Sequence, residues 1–188
     1  MSELLELKKR LAKILIKKSY KEGDFTLSSG QKSNYYFDCR QSSLNAEGSW
    51  LIGKIFNILL KDYSIKGVGG MTMGADPLVS ATTVISHEMN KALDGLLVRK
   101  EAKGHGTKQF VEGLVNFSEG DQVAMLEDVI TTGGSVLKAC KRIEDVGLKI
   151  AVIAIILDRE QGGREILEKE GYKVISIFTR NELVELGK

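Results

Sequence analysis

Residues 149–158 read KIAVIAIILD, a run with no polar face at either parity. A strand that alternates in polarity can lie on a surface, whereas one that is apolar on both sides must be covered on both sides. GLLVRK (95–100), QVAML (122–126) and YKVISIF (172–178) have the same character, and KGVGG (66–70) reads as a short strand entering a glycine turn. Between these runs the apolar spacing becomes helical over 134–146 and 163–170. Asn45 is placed to cap a helix that buries Leu51, Ile52, Ile55, Phe56 and Leu59. Pro77, the only proline, fits the first turn of another helix reaching about Ala92. GLVNF (113–117) is one more apolar run ahead of QVAML. Strands alternating with helices make this an α/β fold with a mostly parallel central sheet flanked by helices.

The first 40 residues depart from that rhythm. Leu4, Leu7, Leu11, Ile14 and Leu15 recur at helical spacing, with Lys8, Lys9, Lys13, Lys17 and Lys18 largely on the other side as a solvated face. Residues 24–38 read as a β-hairpin around Ser-Ser-Gly. With 188 residues and no repeat, low-complexity tract or linker, residues 1–188 are expected to form a single domain.

The formal net charge of +2 predicts no general attraction to nucleic acid, so any basic site must be local. Cys39 and Cys140 lack the Cys or His neighbours of a zinc or redox motif and are expected as reduced core thiols. Charges run through the N-terminal helix and no long apolar run occurs, which predicts no membrane association and a cytoplasmic location.

The chemistry concentrates in VAMLEDVITTGGSVLKA (123–139), where an apolar strand ends in Glu127 and Asp128 and a loop rich in threonine and glycine leads into a helix. Gly133 and Gly134 allow close approach of a ligand to the backbone, and the free amides of the helix start attract an anion. Thr131, Thr132 and Ser135 add hydroxyl donors. The segment matches neither GxxxxGK[ST] nor GxGxxG, which disfavours a nucleoside triphosphate or a dinucleotide. Two acids beside a phosphate cradle suit sugar hydroxyls or a bound cation, hence a phosphorylated sugar. A solvated strand-to-helix turn is the bland alternative.

MLEDVITTGGS resembles the ribose-5-phosphate motif of the type I phosphoribosyltransferases, which implies that family's fold with a small N-terminal hood. The resemblance implies that Glu127 and Asp128 contact the ribose of phosphoribosyl pyrophosphate while residues 131–135 hold its 5-phosphate. VRKEAKGHGTKQFVEG (98–113) is similar to the mobile catalytic loop of the orotate phosphoribosyltransferases, with Arg99, Lys100, Lys103 and His105 at matching positions. Read alone, a solvated basic loop is the bland alternative, and the less favoured one. FTLSSGQKSNYYFDCR (25–40) looks like the hood of those enzymes, in which Tyr36 and Phe37 would line the base site, and ILDREQGG (156–163) places Arg159 to meet the orotate ring or carboxylate. By themselves the aromatics read as hairpin packing and the arginine as a surface ion pair.

The resemblance therefore implies transfer of the phosphoribosyl group to orotate in pyrimidine biosynthesis, with Lys103, His105 and Asp128 as catalytic residues. It also implies Mg²⁺ held mainly by the substrate rather than by a protein metal site, and a homodimer that shares the loop across its interface. The rival readings are a purine phosphoribosyltransferase and a non-catalytic sensor of phosphoribosyl pyrophosphate. Ser28, Met73 and Gly74 depart from the lysine and tyrosine-lysine that many orotate enzymes carry. Backbone amides of residues 70–74 are expected to replace those contacts.

Overall fold

The computed structural model describes residues 3–26, 32–102 and 109–188. Its central sheet has six strands: β3 (Gly67–Met71), β4 (Asp94–Val98), β5 (Val111–Glu112), β6 (Gln122–Ile130), β7 (Lys149–Asp158) and β8 (Val174–Thr179), in the order β5-β4-β3-β6-β7-β8. All pairings are parallel except β4 with β5. A separate antiparallel hairpin, β1 (Tyr20–Thr26) with β2 (Lys32–Phe37), forms the hood. The tip of that hairpin, including Ser28, lies outside the described residues.

The two apolar parities of the central strands divide between two cores. Ala124 and Leu126 of β6 and Val152, Ala154 and Ile156 of β7 face α1 (Glu3–Lys18), α3 (Ala46–Leu59), α4 (Asp76–Glu88) and α7 (Arg180–Gly187). Val123, Met125, Ile153 and Ile155 face α5 (Gly134–Glu144) and α6 (Gly163–Lys169). This is why the strands are apolar throughout, each fully buried Leu or Ile side chain contributing about 1.5–3 kcal/mol. Both cysteines are free and buried in these cores, as expected.

The local signals hold at most boundaries. Asn45 accepts from the Gly48 amide at 3.1 Å and caps α3, and Pro77 lies in the first turn of α4. Helix α4 stops at Glu88, short of the expected Ala92, because Asn90 takes a left-handed φ of 55° and Lys91 N–H closes on the Ser86 carbonyl at 3.0 Å. GLVNF is a 3₁₀ turn, Leu114–Asn116, because Gly113 at φ 92° turns the chain away from β5 and leaves Val115 outside. The hairpin begins at Tyr20 rather than residue 24, and a short α2 (Arg40–Ser43) follows it.

Helix α7 is the longest of the elements the sequence reading lacks, the others being α2 and β5. Its signal is a capping box: Thr179 Oγ1 accepts from the Glu182 amide at 3.3 Å, and Glu182 Oε2 accepts from the Thr179 amide at 2.9 Å. Thr179→Ala should lower stability by about 1 kcal/mol, a fall in Tm of roughly 2–4 °C by calorimetry. An unshifted Tm would mean that the packing of Leu183 alone holds the helix.

Candidate functional site

Strand order reverses between β3 and β6: β3 leads through α4 to β4 on one side, and β6 leads through α5 to β7 on the other. Chain segments leaving such a switch point diverge and open a crevice beyond the strand ends. The crevice is a cleft of about 450 Å³ lined by Tyr36, Phe37, Asp38, Cys39 and Arg40 from the hood side and by residues 71–74 after β3. Lys100 after β4, Glu127, Asp128 and Val129 at the end of β6, and Ser135 of α5 complete it. A second concavity of about 210 Å³ adjoins it, lined by Glu127 and by residues 129–136. Glu127, Val129 and Ser135 border both, so the expected sugar and phosphate positions are continuous.

The second concavity is made by the β6–α5 turn. Gly133 has φ 77°, and a Cβ there would stand 3.0 Å from the Gly163 carbonyl oxygen, so both conformation and packing require glycine. A Cβ on Gly134 would meet nothing within 4 Å, so packing makes no such demand there. Its bareness leaves the helix start open to an anion. Thr131, Thr132, Gly133, Gly134 and Ser135 are thus brought together around one concavity.

Glu127 is only 8% exposed, and its Oε2 has no hydrogen-bond partner among the described residues. Burial first, then the neighbouring Asp128 carboxylate, pushes the Glu127 carboxyl well above its ordinary range, with Lys100 opposing. Burial also raises Asp128, against contacts that favour its anion: Glu127, the Val129 amide at 2.8 Å, and the charge of Arg40. The acids behave as a pair in which Glu127 holds the more tightly bound proton. On the other side of Asp128, a Cβ on Gly74 would lie 3.0 Å from Oδ2, so a side chain there would crowd the carboxylate.

The loop after β3 is closed by backbone hydrogen bonds. The Thr72 amide donates to Val98 and the Ala75 amide to Met71, at 2.8 and 3.1 Å. The Met73 side chain points outward.

The aromatic pair of the hood divides by strand parity. Tyr36 is 40% exposed and lies beside Phe25, ring centroids 5.6 Å apart, whereas Phe37 is packed in the core and meets the cleft at its edge. Tyr35, on the same parity as Phe37, is overlaid at 4.3 Å by both Arg159 and Arg180. Arg159 also donates to Ser33 Oγ at 2.9 Å, which fastens the hood to the end of β7. It does not line the main cleft. Arg99 pairs with Glu112 at 3.2 Å and borders a shallower concavity with Thr72, Lys100 and Glu101. Lys103 and His105 lie outside the described residues.

Asp38 and Arg40 were not read from the sequence as site residues. Arg40 Nε donates to Asp38 Oδ1 at 2.8 Å, and this contact, ahead of any other, holds Asp38 below its ordinary range. The available signal was a charged pair directly after the aromatic strand, in FDCR. Arg180 had only the capping-box context of α7 to mark it.

No family model matches the chain. Among curated proteins, the orotate phosphoribosyltransferase of Nostoc sp. is 42% identical over 182 residues, covering 97% of this chain and 87% of that protein. The Aquifex aeolicus orotate phosphoribosyltransferase is 43% identical over 180 residues, covering 94% and 97%. Among solved structures, Mycobacterium tuberculosis orotate phosphoribosyltransferase in complex with Fe(III) dicitrate is 36% identical with a TM-score of 0.82, covering 94% of this chain and 98% of that one. Another structure of that enzyme, in complex with 5-phospho-α-D-ribosyl 1-diphosphate, gives a TM-score of 0.77 at 29% identity, covering 95% and 92%.

The raised Glu127 carboxyl makes stability depend on pH. The folded state binds that proton more tightly than the unfolded chain, so stability is lost as pH rises from the ordinary value of 4.5 through the folded one. Glu127→Gln removes the buried anion. Without ligand it should melt higher than the wild type at about pH 8, with the advantage fading below about pH 4. A melting difference independent of pH would show that Glu127 ionises without penalty.

Proposed function

Because the chain belongs to the orotate phosphoribosyltransferase family, we propose a division of labour among its residues for the reaction of that family. The enzyme transfers the 5-phosphoribosyl group of phosphoribosyl pyrophosphate to orotate, giving orotidine 5′-monophosphate and pyrophosphate in pyrimidine biosynthesis. Residues 131–135 bind the 5-phosphate through the helix-start amides and the hydroxyls of Thr131, Thr132 and Ser135. Glu127 and Asp128 face the ribose hydroxyls. The observation that carries this reading is the continuity of the two concavities across Glu127, Val129 and Ser135, which suits a phosphorylated sugar spanning both.

Orotate lies beneath the hood, with Tyr36 and Phe37 against its ring, and Arg159, now bonded to Ser33 outside the main cleft but with Nε unpartnered among the described residues, turns to meet its carboxylate. The ring nitrogen of the anionic base forms the new bond to the ribose carbon as the bond to pyrophosphate oxygen breaks, and that electron pair leaves with pyrophosphate. Bond breaking leads, so positive charge develops on the sugar beside Asp128 and negative charge on the leaving group. Arg99, Lys100 and Lys103 meet the leaving group, aided by the Met73 and Gly74 amides, and His105 supplies a proton if one is needed.

The acids also fit Mg²⁺. Their carboxylates are hard oxygen donors, and the buried Glu127 Oε2 lacks a partner among the described residues. Those residues hold no cluster of three or more potential metal ligands, so most of the coordination falls to the donor and water. When bound, the ion neutralises charge on the pyrophosphate. No helix of the described residues is long and apolar enough to cross a membrane. Independently of that, we propose a cytoplasmic location.

The reaction is tested by supplying the protein with Mg²⁺, phosphoribosyl pyrophosphate and a panel of bases. Orotate should be consumed with release of pyrophosphate, and adenine, hypoxanthine and guanine should be poor acceptors. Turnover of a purine in place of orotate would overturn the assignment.

We further propose a two-fold dimer in which Lys103 of one subunit serves the site built on Asp128 of the other. Lys103→Ala and Asp128→Asn proteins should each lose more than about tenfold in kcat. After subunit exchange between equal amounts, activity should rise to roughly a quarter of wild type, since half the dimers are mixed and half their sites are intact. No gain, with exchange verified by native mass spectrometry, would place Lys103 in its own subunit or outside the reaction.

A further inference from the structure

Helix α5 carries the phosphate cradle at its start, and two turns along it, about 12 Å away, stands Arg142. The guanidinium of Arg142 reaches out of the helix to the backbone where β4 ends. Its Nη1 donates to the Arg99 carbonyl and its Nη2 to the Lys100 carbonyl, the latter at 3.1 Å. The same guanidinium lies 3.9 Å above the ring of Phe110, on the returning side of the chain. The two sides are themselves joined, the Arg99 amide donating to the Phe110 carbonyl at 2.8 Å beyond the Val98–Val111 pairing of β4 and β5. One planar side chain therefore holds both stems of the segment that carries Lys103 and His105.

A surface arginine on a helix commonly points into water or pairs with a carboxylate. Arg142 instead donates to two consecutive carbonyls and stacks on an aromatic ring, a combination that a guanidinium fork supports and an ammonium cannot reproduce. Its partners also have a place in the cleft: Lys100 lines it and acts electrostatically on Glu127. The buried side of α5, with Val136, Ala139, Cys140 and Ile143, is fixed against the sheet, so the helix is a stiff connection between cradle and strap.

We propose that Arg142 is a positioning residue for the transfer reaction, setting the stems of residues 98–113 at a fixed distance from the phosphate cradle. It touches neither substrate nor the reacting atoms. The inference rests on the assignment of that segment to the pyrophosphate, and it concerns one part of the donor only. The cradle at the start of α5 does not depend on the strap, whereas the pyrophosphate contacts of Lys100 and its neighbours do.

The test compares two ligands by titration calorimetry: ribose 5-phosphate, which needs the cradle alone, and phosphoribosyl pyrophosphate with Mg²⁺, which needs cradle and strap. Arg142→Ala should bind ribose 5-phosphate within about twofold of wild type at unchanged stoichiometry. It should bind phosphoribosyl pyrophosphate several-fold more weakly and lose about tenfold in kcat, the scale expected when a charged group is held slightly out of place. Arg142→Lys, which keeps the cation but not the fork, should fall between the two. Wild-type donor affinity and kcat in Arg142→Ala would overturn the proposal, and so would an equal loss for both ligands or reduced stoichiometry, which marks general damage. If Arg142→Ala does not fold, Arg142→Lys and Arg142→Gln carry the same comparison, and wild-type values in both overturn it. A wild-type protein that binds no donor would overturn the assignment of the reaction itself, and the role of Arg142 with it.

Discussion

A buried carboxylate, Glu127, and a half-buried one, Asp128, stand side by side at the end of the strand that lies at the reversal of the sheet. Taking either out of water disfavours its anion, and placing them side by side adds their mutual repulsion. The surrounding architecture answers both. Glu127 retains a proton more tightly than an ordinary glutamate, while Asp128 receives the Val129 amide and the field of Arg40. A glycine at 74 gives Asp128 room, and Lys100, beyond the end of β4, lines the same cleft as Glu127 and favours its anion. The arrangement is unfavourable to the empty protein and suited to a ligand that brings hydroxyls and a cation, which is the usual direction of compromise between stability and function.

Around that pair the sheet supplies three separate tethers. The β6–α5 turn brings residues 131–135 around the second concavity, with Ser135 at the border shared by both. The hood is fastened by Arg159 and Arg180, which lie over Tyr35, Arg180 also donating to the Tyr20 hydroxyl at 3.2 Å. The stems after β4 and before β5 are held by Arg142. Each tether is a planar cation or a glycine turn, and at the hood it acts beside the apolar packing of Tyr35 and Phe37 in the core.

Met73 and Gly74 depart from the commoner pattern of the orotate enzymes. Gly74 leaves Asp128 uncrowded, since a side chain there would press on its carboxylate, and Met73 points outward.

The amino-acid sequence by itself determined the layered α/β fold, because a strand apolar at both parities has only one environment that satisfies it. It likewise determined the turn that gathers residues 131–135 around one concavity, since glycines, hydroxyls and a helix start are local features within one short segment. Caps behaved in the same way: Asn45 was legible and Thr179 would have been, both being patterns confined to a few residues. Tertiary structure alone decided which of Tyr35, Tyr36 and Phe37 faces the cleft, because strand parity is known only once the register of the hairpin is set. It decided that Arg159 fastens the hood through Ser33, 126 positions away in the chain. It also decided that Arg142 grips residues 99, 100 and 110. Such partners share no spacing or periodicity, and only the packing of α5 against the sheet brings their atoms within reach.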